Sequence, residues 1–530
     1  MAKVTIDGKE IVARDDATII EAAHEAGLTI PHYCYHPKLS IAGNCRMCLV
    51  ELAGRPKLEI SCNTRVANDM VVLTNSPRVV EGRRGVLEFL LINHPLDCPI
   101  CDQAGECGLQ DYYMQYGLYR SRFQEEKVHK PKVVDFGPDV VFDAERCILC
   151  TRCVRFCEEI TQTKELGLFF RGDGAEIATF PGKRLDNKYA GNTVDICPVG
   201  ALTSKDFRFK IRVWFLQETK SICAGCARGC NINIHHHDGR IYRFKPRRND
   251  AVNETWICDE GRFSYKAIHA DTRLLQPQVR QSDVLAPTTW QEALQHATAL
   301  LQRHGSDAVG VLVAPQGTNE DAYVLARFIA EACPTPHVVL FPGAPGYEDD
   351  LLLRADKNPN TRGAQDMGLP APATAAQLSA LAQAIEQGTI KVLYVIDTDL
   401  QAAFGSEAAT RLTARLDGLI VQASHWRAGY EQAQVLLPSA MPAERDGTFT
   451  NFQGHVQRIN AAIRPRGEAQ PAWHIYTRLA HSLGQSWSYT AAETILADIA
   501  TTIPGYQGLS YAKIGDLGVP NAECGVQSVE

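Results

Sequence analysis

The chain has 530 residues, 45% hydrophobic and 22% charged, enough apolar material for roughly three to five packed domains. Its net charge of −7, from 54 basic and 61 acidic residues, excludes the strongly basic balance of a general nucleic-acid binder. The longest greasy pieces, such as Val86–Ile92 and Val392–Ile396, are far too short to span a bilayer, and Met1–Glu10 lacks an apolar signal core. The expectation is a soluble intracellular protein, or one held at a membrane through partners.

Cysteine usage divides the chain. Of 18 cysteines, 16 precede residue 259, and only Cys333 and Cys524 follow. The front is no small secreted domain, so clustered cysteines point to metal ahead of disulfides.

In chain order, Lys3–Ile6 and Glu10–Ala13 read as a hairpin turning at Asp7-Gly8, followed by a short helix over Ala17–Ala26. Hairpin, helix, then cysteine loop is the order of a ferredoxin-type β-grasp domain. The loop brings Cys34, Cys45 and Cys48, and Cys62 follows. Four thiolates suit a [2Fe–2S] cluster, but the spacing departs from the plant type, so zinc or free thiols stay open. A helical pattern over Arg78–Ile92 leads to His94-Pro-Leu-Asp-Cys-Pro-Ile-Cys-Asp-Gln-Ala-Gly-Glu-Cys107. His94, Cys98, Cys101 and Cys107 could hold zinc or a cluster, and His94 alone could be a helix-end histidine.

Cys147, Cys150 and Cys153 with the remote Cys197-Pro198 form the strongest signal, because C-x2-C-x2-C plus a distant Cys-Pro binds a [4Fe–4S] cube. Cys157 would complete a second run, but no partner run exists, so it reads as a buried free thiol. Cys223, Cys226, Cys230 and Cys258 surround a hairpin, Asn231–His237 and Arg240–Lys245, and favour [4Fe–4S] over a zinc ribbon. His235-His236-His237 alternate along a strand and cannot converge on one ion. Fifteen cysteines plus His94 supply ligands for four clusters, and a chain with several one-electron centres reads as an electron wire.

At Pro31-His-Tyr-Cys-Tyr-His36, Gly43-Asn-Cys-Arg-Met-Cys-Leu-Val-Glu51, His94–Asp111, Arg146-Cys-Ile-Leu-Cys-Thr-Arg-Cys-Val-Arg-Phe-Cys157 and Asp195-Ile-Cys-Pro-Val-Gly-Ala-Leu-Thr203, the sequence resembles the large iron–sulfur (75-kDa-type) subunits of bacterial respiratory complex I, NADH:quinone oxidoreductase. The resemblance is dense over the front 270 residues. It implies a [2Fe–2S] cluster on the first set and [4Fe–4S] clusters on the other three. The fourth matches an extra site of some bacterial members that looks off the main electron path.

From about residue 273, strands at Asp307–Val313, Val338–Phe341, Lys391–Ile396 and Gly418–Gln422 alternate with helices at Asn319–Ala332, Ala375–Gln387 and Ser406–Leu416, implying a largely parallel sheet. Thr289-x-x-Glu292 predicts a capping box opening a helix to about Arg303. Pro342–Thr374 reads as a softer divider. Asp397-x-Asp399 follows a strand and reads as a helix-capping pair. Asn358-Pro-Asn-Thr-Arg-Gly363, Val435-Leu-Leu-Pro438, Glu444-Arg-Asp-Gly-Thr-Phe-Thr-Asn-Phe-Gln-Gly454 and Pro471–Leu483 resemble a shortened molybdopterin-oxidoreductase domain. No molybdopterin is expected, and Cys333 and Cys524 read as bystanders.

The fold class expected is an α+β iron–sulfur front followed by an α/β layered domain. Its segments are 1–78 ([2Fe–2S] ferredoxin-like), 79–120 (a [4Fe–4S] segment with one histidine and three cysteines), 121–215 ([4Fe–4S] ferredoxin-like), 216–272 ([4Fe–4S], molybdopterin-oxidoreductase type) and 273–530 (truncated molybdopterin-oxidoreductase-like). No G-x-G-x-x-G follows a strand, so NADH is expected to be oxidised on a flavin partner chain. No catalytic residue is expected here. Implied partners are the flavin subunit with its [2Fe–2S] companion and the quinone-side iron–sulfur subunits. The membrane arm would be reached indirectly, and the place implied is the cytoplasmic face of the bacterial inner membrane. Basic runs at Lys205–Arg212 and Arg243–Arg248 read as interface or solvated surface. Arg46, Arg146, Arg152 and Arg155 flank ligands, and Arg152 and Arg155 are expected to tune the third cluster. A molybdenum-bearing formate dehydrogenase, a hydrogenase diaphorase subunit and a zinc scaffold are the competing readings.

Overall fold

A computed structural model describes residues 1–521; Cys524 lies outside them. The described residues form two compact units, 1–216 and 217–521.

The first unit opens with β1 (Ala2–Ile6) and β2 (Lys9–Ala13), an antiparallel hairpin with Asp7 and Gly8 both at positive φ. Helix α1 (Ile19–Glu25) starts after Thr18, two residues later than the sequence pattern predicts, because Thr18 and Glu21 form a reciprocal capping box. Strands β3 (Leu49–Leu52), β4 (Glu59–Ile60) and β5 (Met70–Leu73) complete a sheet ordered β2-β1-β5-β3-β4. Only β1 and β5 pair in parallel. Val4, Ile6, Val50 and Val72 bury one sheet face against Ile19, Ile20, Ala22 and Ala23.

Helix α2 (Pro77–Leu91) is capped by Ser76 and carries Pro77 in its first turn, where no backbone donor is lost. Its buried Arg83 donates to Met47 O at 3.3 Å, Leu49 O at 2.9 Å and Tyr116 Oη at 3.1 Å. The last of these lies on α3 (Gly108–Tyr116). Strands β6 (Val134–Asp135) and β7 (Val140–Phe142) join the later β10 (Leu202–Ser204) in one small sheet. Between them come α4 (Arg152–Arg155), continued by a π-turn over Phe156–Ile160, the β8 (Leu166–Phe169)–β9 (Glu176–Thr179) hairpin and α5 (Asn192–Asp195).

The second unit begins with an antiparallel sheet of β11 (Gln217–Ile222), β12 (Asn231–His237) and β13 (Arg240–Pro246), followed by α6 (Asp259–Phe263). Strands β14 (Gln278–Gln281) and β15 (Val284–Pro287) edge a seven-stranded sheet. Helix α7 (Trp290–Arg303) follows, then β16 (Val309–Val313), α8 (Asn319–Arg327) and β17 (His337–Leu340). Next come α9 (Thr361–Asp366), α10 (Ala375–Glu386), β18 (Val392–Ile396), α11 (Leu400–Phe404) and α12 (Ser406–Thr413). The sheet closes with β19 (Gly418–Ala423) and β20 (Val435–Pro438), in the order β15-β14-β20-β19-β18-β16-β17.

The five strands β16 to β20 are parallel; β14 pairs antiparallel with β20, and β15 antiparallel with β14. Side-chain alternation explains their unbroken apolar runs, since both faces are covered. Val311, Tyr394 and Ile420 face α7, α8, α13 (Ala472–Ser482) and α14 (Ala492–Thr502). Leu312, Leu393 and Leu419 face α10, α11 and α12. A sheet of β21 (Gly447–Thr450), β22 (His455–Ile459) and β23 (Val519–Pro520) completes the unit, with α15 (Tyr511–Ile514) before its last strand.

Three local expectations are corrected. The box at Thr289 forms by half: Thr289 Oγ1 accepts from Glu292 N at 3.2 Å, while the Glu292 carboxylate takes the Thr288 hydroxyl. The helix expected over Asn319–Ala332 turns π-helical from Phe328. Of the Asp397–Asp399 pair only Asp399 caps α11. Asp397, at φ 47, accepts from Ser424 N at 2.9 Å and ties the ends of two neighbouring strands.

Candidate iron–sulfur sites

In the first unit, Cys34, Cys45, Cys48 and Cys62 converge beside the β-grasp sheet. Cys34 N donates to Cys45 Sγ at 3.4 Å, and the thiols pair as Cys34–Cys45 and Cys48–Cys62. Within each pair the hydrogen bond between the partners lowers one thiol, Cys34 or Cys48, and raises the other, Cys45 or Cys62. Ser61 shapes the return of the chain, donating Oγ–H to Cys48 O at 2.9 Å.

His94 stands just past the end of α2, where Lys127 Nζ donates to Leu91 O at 2.8 Å and Ile92 O at 2.7 Å. Burial lowers its imidazole to about 4, which keeps it neutral and able to act as a lone-pair ligand. Its Nδ1 is buried without a hydrogen-bond partner. Cys98 is exposed, and burial raises Cys101 and lifts Cys107 to about 11. The three thiols are close enough for Cys101 and Cys107 each to feel the charge of Cys98.

Cys147, Cys150, Cys153 and Cys197 line one recess of about 320 Å³, with Phe142, Ile177 and Leu202 among its walls. Leu149 and Thr151, between the cysteines, both have positive φ, and Leu149 N donates to Cys147 Sγ at 3.4 Å. Burial raises all four thiols, so thiolates in this dry recess need a bound cation to balance them. Cys157 does not line the recess. It is buried in the π-turn with its thiol against Glu165.

These three sites adjoin one another. Tyr33 is fully buried and held far above the usual phenol range, first by burial and then by Tyr112, Cys107 and Cys45, which places it between the first and second sites. Gly108 N, next to Cys107, donates to Pro198 O, next to Cys197, at 2.9 Å. Arg155 Nη2 donates to Cys34 O at 2.6 Å and Cys150 O at 3.1 Å, joining the first and third. Arg152 donates to Ile196 O at 3.0 Å and to Tyr35 O. Arg46 is exposed at positive φ.

In the second unit, Cys223, Cys226, Cys230 and Cys258 line a recess of about 300 Å³ together with Leu352 and Leu353. Cys258 caps α6, accepting from Gly261 N at 3.3 Å, and a Cβ at Gly261 would stand 2.8 Å from Cys223 Sγ. Burial raises Cys223, Cys230 and Cys258. The loop is braced on both sides. Arg228 donates to Leu351 O at 3.0 Å and Leu352 O at 3.2 Å, holding the stretch read as a soft divider over the recess. The Glu444–Gly454 motif supports the other side, through Asn451 Nδ2 to Arg228 O at 3.2 Å and Phe452 N to Ala227 O at 3.0 Å. Gln457 Nε2 adds a bond to Gly229 O at 2.9 Å.

The remaining expectations resolve locally. His236 is buried on Thr219 at 2.9 Å while His235 meets Glu218 at 3.1 Å, so the triplet does alternate, with a bulge between them. The basic runs are largely used within their own units. Arg212 donates to Cys101 O at 2.7 Å and Arg247 to Asp516 O at 2.7 Å. Cys333 is buried against Ser306. A recess of about 350 Å³ at the carboxyl ends of β16 and β18 includes Asp321 and Asp397. Asp321 is already occupied by Thr318 N, Trp473 N and Arg445 Nη1. Among the described residues no helix is long and apolar enough to cross a membrane.

β-Grasp, Cys-rich loop and four-thiol recesses are the architecture of an iron–sulfur protein. Family models match in series: a 2Fe-2S iron-sulfur cluster binding domain over 1–77, an NADH-ubiquinone oxidoreductase-G iron-sulfur binding region over 83–122, and an NADH-quinone oxidoreductase subunit 3 ferredoxin-like domain over 137–203. A molybdopterin oxidoreductase Fe4S4 domain over 216–270 and a molybdopterin oxidoreductase model over 355–482 follow.

At the level of whole proteins the chain resembles the G subunit of NADH-quinone oxidoreductase. It is 43% identical to that protein of Rickettsia bellii over 62% of this chain and 48% of the relative. It is 44% identical to the mitochondrial NADH-ubiquinone oxidoreductase 78 kDa subunit of Neurospora crassa, over 64% of this chain and 46% of the relative. The 75 kDa subunit of Reclinomonas americana is 46% identical over 59% of this chain and 45% of its own length. The matched stretch thus spans about half the length of these relatives. A solved structure of an NAD+-reducing [NiFe]-hydrogenase in the H2-reduced state is 32% identical, with a TM-score of 0.37, over 40% of this chain and 91% of that one.

Proposed function

We propose that this chain is an electron-transfer subunit of a proton-pumping NADH:quinone oxidoreductase. It would relay single electrons from a flavin subunit towards quinone and carry out no acid–base step of its own. The observation that carries this reading is the adjacency of the first three sites, with Tyr33 between Cys45 and Cys107 and the Gly108–Pro198 bond between the second and third.

The proposal assigns a [2Fe–2S] cluster to Cys34, Cys45, Cys48 and Cys62. It assigns [4Fe–4S] clusters to His94/Cys98/Cys101/Cys107, to Cys147/Cys150/Cys153/Cys197 and to Cys223/Cys226/Cys230/Cys258, and no molybdopterin. The residues fit such groups: an orphaned buried imidazole nitrogen at the second site, and thiol-lined apolar recesses at the third and fourth. When bound, each cluster supplies a reversible one-electron couple. The chain supplies the ligands, excludes water through Leu352, Leu353 and Ile177, and donates backbone N–H groups to sulfur at Cys45, Cys147 and Cys258. Such bonds and the charges around them set the potentials.

The five-segment division at 1–78, 79–120, 121–215, 216–272 and 273–530 belongs to the same proposal. So do the partners: the flavin subunit with its [2Fe–2S] companion, and quinone-side iron–sulfur subunits that link it to a membrane arm. The proposed place is peripheral, on the cytoplasmic face of the bacterial inner membrane.

Elemental analysis of anaerobically purified protein tests the reading. About 14 iron atoms per chain and no molybdenum are expected. About one molybdenum per chain would transfer the protein to the molybdenum oxidoreductases, and zinc with little iron would end the electron-wire reading.

A further inference from the structure

Arg146 immediately precedes Cys147 in sequence, but its side chain leaves the third site. Its guanidinium, 6% exposed, grips Asp97 through Nη2 at 2.6 Å and Nε at 3.2 Å, and reaches Asp143 at 3.3 Å. Asp97 directly precedes Cys98 and lies three residues after His94. The stem is equally well placed. A Cβ at Gly200 would stand 2.3 Å from Cys101 Sγ and 3.6 Å from Arg146 Cδ, so sulfur and arginine flank one bare glycine. The surrounding charges are Lys132, 3.3 Å from Asp97, 3.7 Å from Asp143 and 2.6 Å from Glu145, with His129 on Glu145 at 2.9 Å.

Resting on the cluster assignment above, we propose that Arg146 is a positioning residue of the His94 site, setting that site's reduction potential from within the third site's ligand loop. Two cations, Arg146 and Lys132, face three carboxylates, Asp97, Asp143 and Glu145. Arg146 is the most buried cation of this group, so solvent screens it least. Its positive charge favours the form of the site that holds one more electron, so its removal must lower the potential. Losing Asp97 must raise it. The third site faces Arg152 and Arg155 instead, so its potential stays where it is when Arg146 changes.

Potentiometric titration of the whole protein, followed by EPR at each cluster, tests this with Arg146→Gln, Arg146→Lys and Asp97→Asn. In Arg146→Gln the oxidised-to-reduced ratio of the His94 cluster, read at the wild-type midpoint, is expected to rise about tenfold, a downward shift of about 59 mV for one electron. Arg146→Lys should restore most of the shift and Asp97→Asn should move it upward, while the Cys147-site midpoint holds throughout. Where Arg146→Gln fails to assemble that cluster, the upward shift of Asp97→Asn at the His94 site decides, and its absence overturns the inference. An unmoved His94-site midpoint, or a shift at the Cys147 site instead, overturns the inference and leaves the cluster assignment standing. A wild-type protein without iron at the His94 site overturns both.

Discussion

At the His94 site Cys98 is exposed and the nearby Leu96 and Ile100 are 79% and 66% exposed, whereas at the Cys223 site all four cysteines are buried beneath Leu352 and Leu353. The first brings three thiols together near His94 in the chain, the second four thiols at one recess, and one is finished by a surface and the other by a cover. The open site draws its framework from short segments, the end of α2, the 98–107 loop and Gly200, with one distant brace where Arg212 donates to Cys101 O. The closed one is braced by segments more than a hundred residues away, through Arg228 to Leu351 and Leu352 and through Asn451 and Gln457. A centre that exchanges electrons with a partner needs an accessible edge. A sealed one is suited to stability or storage, in keeping with the place off the main path that the resemblance implies for it.

The largest effect expected from this contrast is on electron flow. Cys101→Ala and Cys226→Ala should each remove about four iron atoms per chain. In the assembled complex, NADH-to-quinone turnover should vanish in the first and stay above about half of wild type in the second, an expectation that follows from the proposed route. Collapse of turnover in Cys226→Ala would break the contrast and put the fourth site on the route.

A middle-sized effect is expected on the cover itself. Arg228→Ala releases the two carbonyls that hold Leu351 and Leu352 in place and also loses the stacking of its guanidinium on Phe452, 5.1 Å from the ring centroid. In air-exposed protein, the fourth cluster's EPR signal should decay several-fold faster than in wild type, while the His94 signal decays unchanged. Equal rates in variant and wild type would show that the leucines seal the site without the arginine.

Spacing alone singled out the four cysteines of the third set and the four of the fourth, and the fold gathers each set at one recess. Local patterns also carried most helices and strands. The hairpin at Asn231–His237 and the strand at Val392–Ile396 follow from alternation and burial alone. What stayed hidden was tertiary. Arg146 sits beside Cys147 in the chain and serves a different site, because its direction is set by Asp97, 49 residues away. Gly200 matters for the space it leaves beside Cys101, which no spacing rule reports. The stretch 342–374 looks soft from its Pro, Ala and Gly content, yet its Leu352 and Leu353 wall a recess. Asp397 looks like a cap because Asx residues after strands usually are, but the neighbouring strand offered Ser424 N first.

The smallest expected effect is one of pH, and it too separates the sites. Glu320 is fully buried on α8, where its carboxylate accepts from Thr448 N at 2.8 Å and meets Thr448 Oγ1 at 3.1 Å. Thr448 lies on β21, the strand that leads into Asn451 and so into the brace under the Cys223 loop. Tyr511 donates to Glu320 at 3.4 Å, Asp321 adjoins it with Arg445 at 2.9 Å, and Arg458 stacks on Tyr511. Burial raises the Glu320 carboxyl from 4.5 to about 7. Between those values the folded chain holds a proton that the unfolded chain has released, so stability falls as pH rises through this window. The loss is complete above about pH 7 and amounts to roughly 3 kcal/mol. Glu320→Gln keeps a neutral acceptor for Thr448 N and removes the titration. Thermal loss of the fourth cluster should therefore come at lower temperature at pH 8 than at pH 5.5 in wild type, by a few degrees, and this difference should shrink in Glu320→Gln. The His94 cluster, built on no part of this brace, should show no difference between variant and wild type. If the variant retains the full pH slope, the carboxyl is not its source, and the closed site owes its pH response to groups nearer its own loop.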